Sequence, residues 1–275
     1  MELVGKTCLV VGASGAIGRA VAEKLHREGA NVALTFHSQK NGAVLSLTAL
    51  EDPRVAVYAL DVRKPKQIES VVARVIRIFG PIQILVNCSG VLGPVGAAHL
   101  VSPTVWRNAF EVNLLGAFYL VQALLPSMVS LGGGKIILFS GGGAAYARPY
   151  FTAYSASKAA LVRFAESLSS ELCNRNIQVN AVAPGPVEGR MWDELRAAGD
   201  AAGPQALAEL EKMQATGGVS AERAAALVLF LASSRSNGLT GRLISAVYDK
   251  WEDLEPRIPD IMSSDAGTLR RVPLE

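Results

Sequence analysis

The run KTCLVVGASGAIGRA, residues 6–20, constrains this chain more than any other stretch. An apolar segment without polar alternation leads directly into three glycines, and these lead directly into a helical pattern that ends at Gly29. A strand that is apolar on both sides must be covered on both faces, as in a parallel sheet. Gly12, Gly15 and Gly18 permit a tight turn and a close backbone approach. The N–H groups that open the following helix favour an anion such as a pyrophosphate. A glycine turn needed only for packing is the competing reading, and the strand before it and helix after it weigh against that reading.

The same alternation continues along the chain. Strands are expected at 6–12, 31–36, 54–62, 84–90, 135–140, 177–185 and 238–247. Helices are expected at 16–29, 65–80 and 104–130, and from about Tyr154 to Asn174. This pattern predicts an α/β fold: a doubly wound, mostly parallel seven-stranded sheet, Rossmann-like, with helices on both faces. No linker or repeat interrupts it, so residues 1–275 read as a single domain. Two stretches escape the pattern: a mobile helical insert at 188–219, and a polar C-terminal extension at 248–275 in which Trp251, Ile258 and Ile261 are free to pack on the same or a neighbouring subunit.

Composition narrows the classes. Half of the residues are hydrophobic and 19% are charged, enough for a substantial core. The net charge of +3 comes from scattered lysines and arginines, which is no nucleic-acid footprint. Cys8, Cys88 and Cys173 lie far apart in apolar runs. They read as reduced thiols of a cytoplasmic protein, with neither a disulfide framework nor a metal site. The longest apolar run, 224–232, is too short to span a bilayer. Glycines interrupt the N-terminus where a signal peptide needs a continuous apolar region.

The segment YSASK, 154–158, carries chemistry. Tyr154 and Lys158 share one helix face, one turn apart. A free phenol titrates near ~10, too high for proton exchange at neutral pH. A fixed ammonium beside it favours the phenolate. The phenol can then trade a proton with an alcohol or carbonyl oxygen. Of the six tyrosines, Tyr154 alone has a lysine four residues on.

Taken together, residues 5 to about 245 resemble the short-chain dehydrogenase/reductase family in its compact single-domain branch. The family's TGxxxGxG loop reads here as VGASGAIG, with Val11 for the threonine and Ala16 for the middle glycine. The resemblance implies cofactor contacts at Gly12, Ser14, Gly15, Ile17 and Gly18. It implies others at Asp61 and Val62 in ALDV, and at Asn87, Ser89 and Gly90 in NCSG. Pro184, Gly185 and Val187 in PGPVEG complete the set, with Gly189 in place of a usual threonine. Tyr154, Lys158, Ser140 and Asn113 are the implied catalytic residues, the first two also meeting the cofactor.

The serine departs from the pattern. The family's usual position, thirteen residues before the tyrosine, is Gly141, and Ser140 precedes it. Either Ser140 still reaches the substrate, or the backbone N–H groups of Gly141–Gly143 receive its oxygen. Phe36 stands where an acidic residue would select NAD, and His37, Ser38 and Lys40 follow. NADP is therefore favoured, with NAD possible.

The implied function is an NAD(P)-dependent oxidoreductase that interconverts a carbonyl and an alcohol by hydride transfer. It would act on a small molecule, without a metal, nucleic acid or membrane, as a homodimer or homotetramer. An epimerase or dehydratase using transient oxidation, and a cofactor-binding sensor or scaffold with weak catalysis, stand as alternatives. The substrate pocket is expected from 91–100, 144–151 and the insert, with Leu92, Tyr146, Tyr150, Phe151, Met191 and Trp192. Arg148 and Arg190 either meet an anionic group there or are solvated.

Overall fold

The computed structural model describes residues 1–37, 52–272 and 274. Among these residues seven strands form one sheet: β1 (Thr7–Val11), β2 (Asn31–Phe36), β3 (Val55–Ala59), β4 (Ile84–Asn87), β5 (Gly134–Phe139), β6 (Ile177–Ala183) and β7 (Leu243–Ser245). Their order is β3-β2-β1-β4-β5-β6-β7, and every neighbouring pair is parallel. All seven expected strands are present. β7 is shorter than expected.

The described helices are α1 (Ala16–Arg27), α2 (Pro65–Phe79), α3 (Pro103–Phe110), α4 (Gly116–Ser130), α5 (Thr152–Glu171), α6 (Arg190–Ala198), α7 (Gly203–Thr216), α8 (Ala221–Ala232) and α9 (Ile258–Met262). Successive strand residues point to opposite faces. Cys8 and Val10 of β1 therefore join Val21 and Leu25 of α1 and Leu227 and Leu231 of α8 in one core. Leu9 and Val11 join Val72 of α2, Leu120 of α4 and Leu161 of α5 in the other. This two-sided burial is why the strand sequences carry almost no polar alternation. The strand order reverses between β1 and β4, the position at which open parallel sheets form a crevice at the carboxyl ends of their strands.

Two features differ from the sequence pattern. The expected helix 104–130 is interrupted by one π-helical turn, Glu111–Leu115, between α3 and α4. The helical stretch Pro103–Ser130 is long and apolar enough to cross a bilayer. Counting uninterrupted apolar runs missed this feature, and Leu120 and Leu124 are here fully buried in the second core. The stretch 188–219 contains α6 and α7.

The extension packs on its own chain, one of the two arrangements the sequence left open. Trp251 and Ile258 join the first core, and Ile261 packs against it. The Trp251 indole donates to the Ala246 carbonyl at 3.2 Å. Farther on, the Gly267 carbonyl accepts from the Leu243 N–H at 2.7 Å and covers the otherwise open edge of β7.

Trp251→Ala tests how far the extension belongs to the core. Unfolding in denaturant should show a loss of about 3–5 kcal/mol. A loss below about 1 kcal/mol, the size of an ordinary surface change, would make the extension an appendage.

Candidate active site

The glycine loop runs from the end of β1 into α1. Gly12 has φ +80°, and a Cβ on it would lie 2.9 Å from the Ser89 backbone nitrogen. A Cβ on Gly18 would lie 2.3 Å from the Gly12 carbonyl oxygen. Both positions exclude any side chain, because β4 and the first turn of α1 press on the loop. Gly15 is different: it is exposed, and only the Gly12 oxygen at 3.7 Å would touch a Cβ there. Ser14 and Ile17 are half-buried beside it. The open side of the loop is the N-terminus of α1, whose first N–H groups lack helical partners. That donor set fits the pyrophosphate of a dinucleotide.

Beyond β2, His37 is exposed, and its Nε2 lies 3.7 Å from an Asp61 carboxylate oxygen. Arg63 grips the same carboxylate at 2.8 and 2.9 Å and reaches Asn108 at 2.9 Å. The Arg63 hydrogen bonds lower the Asp61 carboxyl to about 2, against the opposing effect of partial burial. Arg63 was not singled out by the sequence, because nothing in ALDV marks the following residue. Val62 is buried. The Ser38 and Lys40 expectations lie outside the described residues.

The segment after β4 joins the loop to the tyrosine. Asn87 is buried, and its carbonyl oxygen accepts from the Ser89 N–H at 3.1 Å and the Ser89 hydroxyl at 2.6 Å. A Cβ on Gly90 would meet Lys158 Nζ at 3.2 Å and Asn113 Oδ1 at 3.4 Å. Two adjacent residues, Ser89 and Gly90, therefore touch the glycine loop on one side and the lysine on the other.

Asn113 sits in the π-helical turn and is 1% exposed. Its oxygen accepts from the Val91 N–H at 2.9 Å, and its amide donates to the Val91 carbonyl at 3.0 Å and the Ser157 hydroxyl at 2.9 Å. Ser157 in turn donates to the Tyr154 carbonyl at 2.8 Å. Ser157 lies on the helix of the tyrosine, one turn after it. It links Asn113 to the tyrosine's backbone.

Tyr154 and Lys158 are both buried on α5. Lys158 Nζ donates to the Phe139 carbonyl at 2.7 Å and lies 5.9 Å from the centre of the Tyr154 ring. Burial lowers the Lys158 ammonium to about 8. Burial also raises the Tyr154 phenol, partly offset by the positive charge of Arg148. The expectation that Lys158 would lower the phenol is therefore corrected. Desolvation sets the direction, and the charge that partly offsets it is that of Arg148.

Ser140 is buried, and its hydroxyl is directed at the Lys158 carbonyl, 3.4 Å away. Gly141 is the residue that faces the tyrosine, since a Cβ there would lie 2.7 Å from the phenol oxygen. Among the described residues the N–H groups of Gly141, Gly142 and Gly143 find no backbone acceptor.

The remaining expected residues frame the mouth. Pro184 is half-buried, and Gly185 has φ +83°, with Val247 2.5 Å from the place of a Cβ. The Val187 N–H donates to the Gly185 carbonyl at 3.0 Å. Phe151, Tyr154, Leu92 and Leu195 pack in one cluster with Met191 and Trp192. A cavity of about 450 Å³ opens beside it between residues 94–102, Tyr150 and Asp200. Tyr146 is 80% exposed and takes no part in that cavity. Both arginines are engaged: Arg148 with Glu209 of α7 at 2.6 Å, and Arg190 with the Gly90 carbonyl at 2.9 Å.

The family described as short chain dehydrogenase matches residues 6–200. A 3-oxoacyl-acyl-carrier-protein reductase of Thermotoga maritima is 34% identical over 247 residues, spanning 89% of this chain and 97% of that protein. A 2,3-dihydro-2,3-dihydroxybenzoate dehydrogenase of Bacillus subtilis is 36% identical over 185 residues, spanning 67% and 70%. Among solved structures, a variant of actinorhodin polyketide ketoreductase with NADPH superposes with a TM-score of 0.79 at 26% identity, covering 87% of this chain and 95% of that one. A gluconate 5-dehydrogenase from Burkholderia cenocepacia in complex with NADP and tartrate gives 0.77 at 26%, covering 89% and 94%.

Two predictions follow from the geometry. Gly18→Ala should lose about 1–3 kcal/mol of unfolding free energy through the clash with the Gly12 carbonyl, whereas Gly15→Ala should leave stability unchanged. Equal losses would show that the loop is packed differently. In absorbance titration at 295 nm, subtracting a Tyr154→Phe variant isolates this phenol, which should ionise above the ordinary value near ~10. Arg148→Gln should push it higher still, since it removes a cation that favours the phenolate. A downward shift would refute that assignment.

Proposed function

This chain belongs to the short-chain dehydrogenase/reductase family, whose members are NAD(P)-dependent oxidoreductases, and on that premise we propose that it reduces a carbonyl compound with NADPH or runs the reverse oxidation. The observation that carries the proposal is the contact chain Gly12–Ser89–Gly90–Lys158. It brings the phosphate-binding loop and the tyrosine helix to one crevice. A bound nicotinamide supplies the hydride.

The phenol of Tyr154 gives its proton to the carbonyl oxygen and takes it back in the oxidation. Lys158, held by the Phe139 carbonyl, stands ready for the ribose hydroxyls. Asn113 fixes the spacing between these groups through Val91 and Ser157. Ser140 ties β5 to the α5 backbone, and the free N–H groups of Gly141–Gly143 receive the substrate oxygen. The exposed His37, the absence of a carboxylate at Phe36 and the Asp61 charge neutralised by Arg63 support NADP over NAD. NADPH and NADP in the two solved relatives support it too. The exposed Leu115 and Phe118 on the long helical stretch suit a homodimer or homotetramer. The three free cysteines suit a cytoplasmic setting.

Steady-state kinetics with a panel of ketones and keto acids tests the reading. KM for NADPH should fall below that for NADH, and Tyr154→Phe should lower kcat by about 10²–10⁴. NADPH binding without turnover of any carbonyl would leave a sensor in place of an enzyme. Ser140→Ala should change turnover by less than about tenfold, whereas a fall of ~10²–10³ would return the oxyanion role to its hydroxyl.

A further inference from the structure

A second, polar cavity of about 230 Å³ lies along the C-terminal half of α5, between that helix, the turn Thr240–Arg242 and the C-terminal extension. The reaction described above makes no use of it. Three guanidinium groups line it: Arg163 from α5, Arg242 from the approach to β7 and Arg270 from the extension. Two carboxylates offset them. Glu166 is held by Arg163, by Arg270 at 3.3 Å and by the Leu269 N–H at 2.7 Å, and Asp265 is held by Arg270 at 2.8 Å. One positive charge is left over.

The surplus charge is the buried one. Arg242 is 7% exposed. Its Nη2 donates to the carbonyls of Ile261 at 3.0 Å and Met262 at 3.4 Å, and its buried Nε has no partner. Among the described residues no carboxylate lies within ion-pair distance of it, since the pairs in this region all use Arg163 or Arg270. Burial, and then the neighbouring Arg270, disfavour its charged form, and Asp265 and Glu166 offset this only in part and without direct contact. Buried charges in folded proteins are as a rule paired, so Arg242 lacks a counter-ion.

We propose that this cavity binds a small tetrahedral oxyanion, either inorganic phosphate or the phosphate group of a small ester, on Arg242 with Arg163 and Arg270 beside it. The three cations come from three separate elements, an arrangement that suits a tetrahedral anion better than a planar one. The bound anion would tie the extension to α5 and to the start of β7. Leu269, next to Arg270, packs against the small cluster of Ala144, Val162 and Ala181, so the anion would also hold the extension against that cluster.

Thermal unfolding of the full chain with added inorganic phosphate tests the site, against sodium chloride at matched ionic strength. The wild type should show a Tm rise that saturates with concentration. Arg242→Met should abolish the saturable part and Arg270→Gln should weaken it at least tenfold in midpoint concentration. Phosphate bound at the glycine loop would survive both substitutions, so the difference between wild type and variants reads this cavity alone. If Arg242→Met does not fold, Arg270→Gln and Arg163→Gln with calorimetric titration of phosphate carry the same test. Glycerol phosphate binding more tightly than inorganic phosphate would identify an ester as the source, and the reverse would identify the free ion. A rise that grows linearly, and equally in wild type and variants, would be a general salt effect and would overturn the proposal.

Discussion

One buried amide holds the crevice in register. Asn113 spends its oxygen on the Val91 N–H and its two hydrogens on the Val91 carbonyl and the Ser157 hydroxyl. The segment after β4 and the helix of the tyrosine therefore cannot drift apart without leaving a buried donor or acceptor unmet, which costs about 1–3 kcal/mol for each group. The π-helical turn makes this possible, because the extra residue in the turn carries Asn113 inward while α3 and α4 continue on either side. A regular helix would place that side chain at a different angle.

Burial sets the electrostatics of the site. Tyr154 and Lys158 are both taken out of water, so the phenol is pushed up and the ammonium down. Each neutral form is favoured by the same removal of solvent. A phenol kept protonated suits the reducing direction, where it gives a proton. The positive charge of Arg148 and that of an oxidised nicotinamide both act in the opposite sense and suit the reverse direction. The pairing of Arg148 with Glu209 of α7 joins that influence to the insert.

Much of this was legible beforehand for reasons of packing. Seven apolar runs with helices between them have few solutions other than a covered parallel sheet, and the chain adopts it. Gly12 and Gly18 were legible because their neighbours leave no room for a side chain. The π turn was hidden because its local pattern is that of an ordinary helix. The packing of the extension was hidden because Trp251 and Ile258 fit a neighbouring subunit as well as their own chain. The roles of Ser157, Arg63 and Arg148 were hidden because each depends on a partner at a distance or on a side-chain direction that spacing alone does not give.

The sequence by itself determined the order of strands and helices, the place of the glycine turn and the pairing of Tyr154 with Lys158 on one face of a helix, since each rests on contacts between near neighbours. The tertiary structure decided which groups those residues meet. It set Gly141 beside the phenol, turned the Lys158 ammonium to the Phe139 carbonyl and left the buried Arg242 Nε with no partner among the described residues. Burial, and hence the sign of a pKa shift, is a property of the whole fold, and spacing along the chain carries no record of it.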